Sequence, residues 1–268
     1  IRGQKNEEYW TQFMQGHTPT EPKVPLVYEK FVNSLKAAGI NVVSKGQETN
    51  VMAMTNSDVR QMAGDRVIRT GETVRFDKNM DPVPGGLFDP KLTGGHNGRQ
   101  WSKIELPEPM LNPVMEEPAR RLLGLTQQQL RDTISGEHTL GRYGKGPQAI
   151  VSALGELNVD KELEVARAQV NGSNKASRDQ AIRRLGYLKA AQKYGLHPKE
   201  WVLDAVPVLP PVFRPVSVMG SSGIPLVSDP NYLYKELLEA TSNFNSMKGS
   251  VGADNTGAER LAIYDSFK

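Results

Sequence analysis

The stretch VLDAVPVLPPVFRP, residues 202–215, limits the fold more than any other part of the chain. Four prolines fall within fourteen mostly apolar residues, and one arginine precedes the last of them. Each proline lacks a backbone donor and obstructs the turn before it, so a helix cannot run through. A central strand also rejects prolines in such number. The residues therefore predict a stiff, non-repetitive ribbon whose fixed φ angles lose little entropy on ordering. Val206, Val208, Leu209 and Phe213 are placed to pack beneath it. Two readings compete for Arg214: it points toward a polyanion, or it pairs with a nearby acid.

Around the ribbon the composition is that of ordinary globular chains. The 268 residues are 38% hydrophobic and 24% charged, enough for one or two cores. No apolar run approaches ~18 residues, so no membrane span is expected. The chain holds no cysteine, which excludes disulfides and thiolate zinc sites. His17, His96, His138 and His197 match no metal-ligand spacing and read as surface or capping residues. A net charge of +3 permits a nucleic-acid partner but argues for one only where the charge is clustered. The chain opens IRGQKNEEYW, without an initiator methionine or signal-peptide pattern, as expected of an internal piece of a longer protein.

Periodicity supplies the elements. Helices are expected over 4–16 and 25–38, the second with Val27, Phe31, Leu35 and Ala38 on one face and Gly39 closing it. INVVSK reads as a strand that residues 48–54 pair with, and Ser57 as the cap of a short helix to Met62. Short strands are expected at 66–68, 72–76 and 101–106, and helices at 114–124 and 126–135. Pro147 opens a helix carrying Ile150, Leu154 and Leu157. Asp160 opens the next, with Leu163, Ala166 and Val170. A third runs to about 194 with Ile182, Leu185 and Leu188 in one stripe. After the ribbon, VMGSSGIPLVSD reads as a flexible loop and Asp229-Pro230 as a helix start. Leu233, Leu237, Ala240, Phe244 and Met247 form that helix's inner stripe. Residues 258–267 return antiparallel with Leu261, Tyr264 and Phe267 aligned.

Little here resembles an active site. GRYGKG at 141–146 lacks the Gly-Lys-Ser/Thr ending of a phosphate loop and follows no apolar strand, so a plain glycine-rich turn is favoured over an independent nucleotide-using enzyme. Residues 174–194 carry Lys175, Arg178, Arg183, Arg184, Lys189 and Lys193 against Asp179. That pattern suits either a solvated helix face or contact with nucleic-acid phosphates.

The ribbon with its flanks resembles a known family. EWVLDAVPVLPPVFRPVS, a Gly/Ser loop and SDPNYLYKELLEATSNFNSM are similar to the N-terminal clamp region of the β′ subunit in multisubunit DNA-directed RNA polymerases. The family's order is Trp, an apolar run, Pro-Val-x-Pro-Pro-x-x-Arg-Pro, a lid loop, then an Asp-x-Asn-x-Leu-Tyr helix. Trp201, Pro207, Pro210, Pro211, Arg214, Pro215, Asp229, Asn231, Leu233 and Tyr234 fit it. Upstream, GGLFDP and WSKIELPEPMLNP resemble the family's Gly-Leu-Phe and Gly-His-Ile-Glu-Leu stretches, with Ser102–Lys103 in place of Gly-His. The four-cysteine zinc ribbon that cellular enzymes carry between them is replaced by KLTGGHNGRQ. Residues 1–44 resemble the C-terminal end of the β subunit through KVPLVYEKFVNSLKAAGINVV. The short, zinc-free form is closer to a bacteriophage enzyme than to a bacterial one.

The resemblance implies an α+β, mainly helical clamp module with a small irregular β region at 40–106. Residues 1–62 would be the β-like segment, 63–215 the clamp core, 216–228 the lid and 229–268 the clamp helical hairpin. Arg178, Arg183, Arg184, Lys189 and Arg214 would contact nucleic acid. Val218, Met219, Gly220, Ser221, Ser222, Gly223 and Ile224 would form a lid wedging between template DNA and departing RNA; a plain surface linker is the rival for that loop. Asn231, Tyr234, Lys235, Leu238 and Asn243 would dock a sigma-type initiation factor. Other polymerase subunits, DNA and RNA are the implied partners, and the cytoplasm of a bacterium or infected host the implied location. The family's Asn-Ala-Asp-Phe-Asp-Gly-Asp loop is absent, so no catalytic residue and no cofactor is assigned here. Magnesium would belong to the parent enzyme, and no RNA synthesis is expected of this chain alone. A standalone helical module that binds a sigma-type factor without DNA is the second reading.

Overall fold

The computed structural model describes residues 44–45, 48–49, 54–70, 82–172, 175–195, 197–219, 224–252 and 255–268. The helices expected at 4–16 and 25–38, the strand expected at 72–76 and the β-like segment up to residue 43 lie outside these. What remains of INVVSK is a two-residue strand β1 (Ser44–Lys45), antiparallel to β2 (Glu48–Thr49).

Capping side chains decide where several helices begin. Thr55, not Ser57, caps α1 (Asn56–Ala63). Its hydroxyl accepts from the Asp58 N–H at 3.3 Å while the Thr55 N–H donates to the Asp58 carboxylate at 2.8 Å, a reciprocal capping box that Ser57 could not form. Thr126 and Gln129 repeat the device at α4 (Gln127–Ser135). The helix before it, α3 (Glu116–Leu123), follows a 3₁₀ turn at Pro113–Met115 and ends at Gly124 in the left-handed region. Pro147 sits in the first turn of α5 (Pro147–Gly155), as expected.

The ribbon divides into two halves. Residues Val202–Val208 form β4, antiparallel to β3 (Ser102–Leu111) with Ser102 opposite Val208, Lys103 opposite Pro207 and Leu111 opposite Val202. This corrects the expectation that no part of the ribbon is a strand. Only Pro207 falls inside β4, and a two-stranded ribbon leaves each strand an unpaired edge where a missing N–H costs little. The other three prolines flank and build a 3₁₀ turn at Pro211–Phe213. β3 runs five residues further than the expected end at 106, with an irregular register between Glu105 and Met110. The strand expected at 66–68 reduces to one bridge, Val67 to Lys103.

Helices α6 (Val159–Gly172) and α7 (Lys175–Tyr194) pack as an antiparallel pair. Leu163 and Ala166 join Leu188 and Ala191 in the buried core. Ile182 was expected in that stripe and is 50% exposed instead, while its neighbour Ala181 is buried.

Downstream, α8 (Pro230–Val251) and α9 (Gly257–Ser266) form the expected helical hairpin. Leu237, Ala240 and Phe244 face inward with Ile263 and Tyr264, whereas Leu233 and Met247 at the stripe's ends are exposed. The hairpin is docked on the body. Arg260 donates twice to Glu108 on β3, Arg131 on α4 twice to Asp265 at 2.7 and 2.8 Å, and the Tyr264 hydroxyl to Glu116 at 2.7 Å.

Candidate nucleic-acid interface

The site is built from the floor upward by GGLFDP. Asp89 caps the short helix α2 (Pro90–Thr93) through the Lys91 N–H at 2.9 Å, and its other oxygen accepts from the Gly85 N–H at 2.7 Å. This turn holds the Leu87 carbonyl and the Phe88 ring in fixed positions. Gly98 closes the same loop so tightly that a Cβ there would lie 1.8 Å from the Thr93 carbonyl oxygen. Its carbonyl accepts the Val212 N–H at 3.1 Å, tying the loop to the ribbon.

Arg214 descends onto that floor. Its side chain is fully buried. Nε donates to the Leu209 carbonyl at 2.7 Å, one terminal nitrogen to Asn231 Oδ1 at 2.7 Å, and the other to the Leu87 carbonyl. The guanidinium lies 4.7 Å from the centre of the Phe88 ring and 5.9 Å from that of Tyr234. Burial pulls its pKa down to about 10, with the Tyr234 phenol opposing. Both sequence expectations for this residue are thereby corrected. Arg214 points into the protein rather than to a polyanion, and its partners are two carbonyls and an amide rather than a carboxylate. A planar fork with several donors matches such dispersed acceptors where a point charge would not.

Asn231 completes the lock. Its amide donates to the Arg214 carbonyl at 3.0 Å and to the Ser228 carbonyl at 3.1 Å. Tyr234, one turn on, accepts the Leu209 N–H at 3.1 Å and donates to the Pro207 carbonyl at 3.3 Å. Burial pushes this phenol's pKa up, while the Leu209 N–H and Arg214 pull the other way.

The lock stands at the root of a second ribbon. Residues 216–228, expected as a flexible loop, contain the antiparallel strands β5 (Val216–Met219) and β6 (Ile224–Val227). Val218 faces Pro225 and Met219 faces Ile224 in the register. Gly220, Ser221, Ser222 and Gly223 lie outside the described residues. Val216 is buried at the root while Leu226 is 57% exposed. The Gly/Ser-rich composition suggested a flexible loop, but the residues on either side of it pair as two short antiparallel strands.

Of the basic residues on α7, Arg178, Arg183 and Lys189 are exposed. Arg184 is not their equal: it is partly covered and pairs with Glu162 on α6. The helix thus offers a solvent-facing set of three from the expected list, and the fourth holds two helices together.

No protein-family model matches the chain. It is 31% identical over 269 aligned residues to a DNA-directed RNA polymerase subunit β′ from Acholeplasma laidlawii, an alignment covering 73% of this chain and 19% of that subunit. The chain belongs to the RNA polymerase β′ family. The β′ subunit of Thermoanaerobacter pseudethanolicus is 31% identical over 123 residues, covering 46% of this chain and 10% of its own length. That of Leptospira biflexa is 35% identical over 104 residues, covering 39% and 7%. The aligned part is therefore no more than a fifth of each of these β′ relatives.

Within this β′-type chain the residues expected to dock an initiation factor separate into two groups. Asn231 and Leu238 are buried and Tyr234 spends its hydroxyl on the ribbon backbone, so these three build the interior. Asn243 is exposed, and Lys235 is partly so, paired with Glu239 at 3.5 Å. Sequence reasoning missed Leu87 and Phe88 as the seat of Arg214; GGLFDP marked the family without revealing what it touched. Among the described residues no three of His, Cys, Asp or Glu gather at one point. No helix among them is long and apolar enough to cross a membrane.

Proposed function

We propose that this β′-type chain acts as the clamp element of a multisubunit RNA polymerase, holding template DNA and RNA beside the main channel and docking other subunits. One observation carries the reading. Three short motifs of the family resemblance, far apart in sequence, meet at one point: Leu87 and Phe88, Arg214, and Asn231 with Tyr234. Together they fix both feet of the β5–β6 ribbon, which takes the lid's place in the chain order.

In this role the ribbon acts as a wedge between template and transcript, with Leu226 as one of its apolar contacts. Arg178, Arg183 and Lys189 supply long-range attraction for phosphates through counterion release. The partly exposed Lys235 and the exposed Asn243 remain the contacts for a sigma-type factor. Nucleotidyl transfer and its magnesium belong to parts of the parent enzyme beyond these residues.

The test is made in the assembled polymerase. Replacing 219–224 with a short glycine linker leaves the melting curve of the isolated chain unchanged, because the lock at the root is untouched. In elongation complexes the same change impairs separation of RNA from template. Normal transcript displacement would remove the lid assignment.

A further inference from the structure

A cavity of about 460 Å³ opens between α3, the start of α4 and the α6–α7 pair, within the size range of small-ligand sites. Three guanidiniums line it, Arg120 and Arg121 from α3 and Arg184 from α7. Arg120 and Arg121 share a single carboxylate, Glu117, and Arg184 has Glu162. Two carboxylates thus stand against three cations, and neither of them lines the cavity.

The donors are in excess as well. Arg184 Nε is enclosed and has no hydrogen-bond partner among the described residues, a costly arrangement unless an acceptor is brought in. Thr126, Gln169 and Gln180 add neutral hydrogen-bonding groups to the wall. No acid and no aromatic ring is among the described lining residues. The wall therefore suits a compact multi-oxygen anion, not a stacked base. Guanidinium forks converging from two elements match phosphoryl oxygens in number and geometry. The exposed Arg178 and Arg183 flank the α7 face that contributes Gln180 and Arg184, so positive charge continues outside the mouth.

We propose that this cavity is a phosphoryl-binding site, filled by a phosphate of a nucleic-acid backbone or by a free oligophosphate. The site stands on its own geometry and does not depend on the polymerase reading.

The test uses the 268-residue chain with tripolyphosphate, followed by calorimetric titration and by thermal melting, and a single-stranded oligothymidylate as competitor. Gln180→Glu places a carboxylate in the wall from an exposed helix position, and a cooperative ligand-free melting curve shows that the variant is folded. Arg184→Gln removes the central donor. Wild-type chain binds tripolyphosphate and melts at higher temperature with it, and Gln180→Glu weakens binding about tenfold or more. Competition by the oligothymidylate identifies a nucleic-acid phosphate as the source; binding without competition identifies a free oligophosphate. Failure of the wild-type chain to bind, or equal binding by Gln180→Glu, overturns the proposal.

Discussion

Arg214→Met isolates what the buried guanidinium contributes. Methionine fills similar length without a charge, leaving the Leu209 and Leu87 carbonyls and Asn231 Oδ1 without their donor. Each buried acceptor left unpaired costs about 1–3 kcal/mol. Losing the cation also removes its desolvation cost, which offsets part of the loss. The net expectation is a destabilisation of about 3–5 kcal/mol, a fall in Tm of roughly 6–20 °C at this chain length. Arg214→Lys keeps the charge but cannot reach three dispersed acceptors, and should fall between the methionine variant and the parent. Urea unfolding followed by tryptophan fluorescence reads this directly, since Trp101 and Trp201 are both buried. A methionine variant within about 0.5 kcal/mol of the parent would refute the anchor reasoning.

The other predictions concern charge. Tyr234 and Tyr264 have phenol pKa values raised above the ordinary 10, chiefly by burial, with the Glu116 contact adding to it at Tyr264. Protons are then held longer in the folded state than in the unfolded one, so stability is full below about pH 10 and declines above it. Ultraviolet titration should show two tyrosines that ionise only as the chain unfolds, and one fewer in Tyr264→Phe; ionisation of all tyrosines in the folded chain would contradict this. Changing Arg178, Arg183 and Lys189 together to glutamine should weaken DNA retention by the assembled polymerase and lower its log–log salt slope by about two to three. Retention unchanged across salt concentrations would remove this face from the interface.

Much of the fold was legible because local chemistry decided it. Pro147, Asp229-Pro230 and the spacing of Leu237, Ala240 and Phe244 each announced a helix that the structure contains. Most of the misreadings share a cause: they depended on a partner distant in the chain. Val202–Val208 becomes a strand only because β3, about ninety residues earlier, lies alongside. Arg214 is internal only because Leu87, 127 residues away, presents a carbonyl to it. Residue type revealed a cation with a purpose but not its direction. Thr55 displaced Ser57 as a cap because Asp58 reciprocates, a pairing that was present in the sequence and overlooked. Arg184 was counted with its exposed neighbours because helical spacing alone does not show that Glu162 faces it from α6.

The twin bonds between Arg214 and Asn231 have a mechanical outcome. Asn231 belongs to the opening turn of α8, and Arg214 stands just ahead of β5. The lead-in to β5 and the opening turn of α8 are therefore bonded directly to each other. A tilt of that opening turn would carry the root of the ribbon with it.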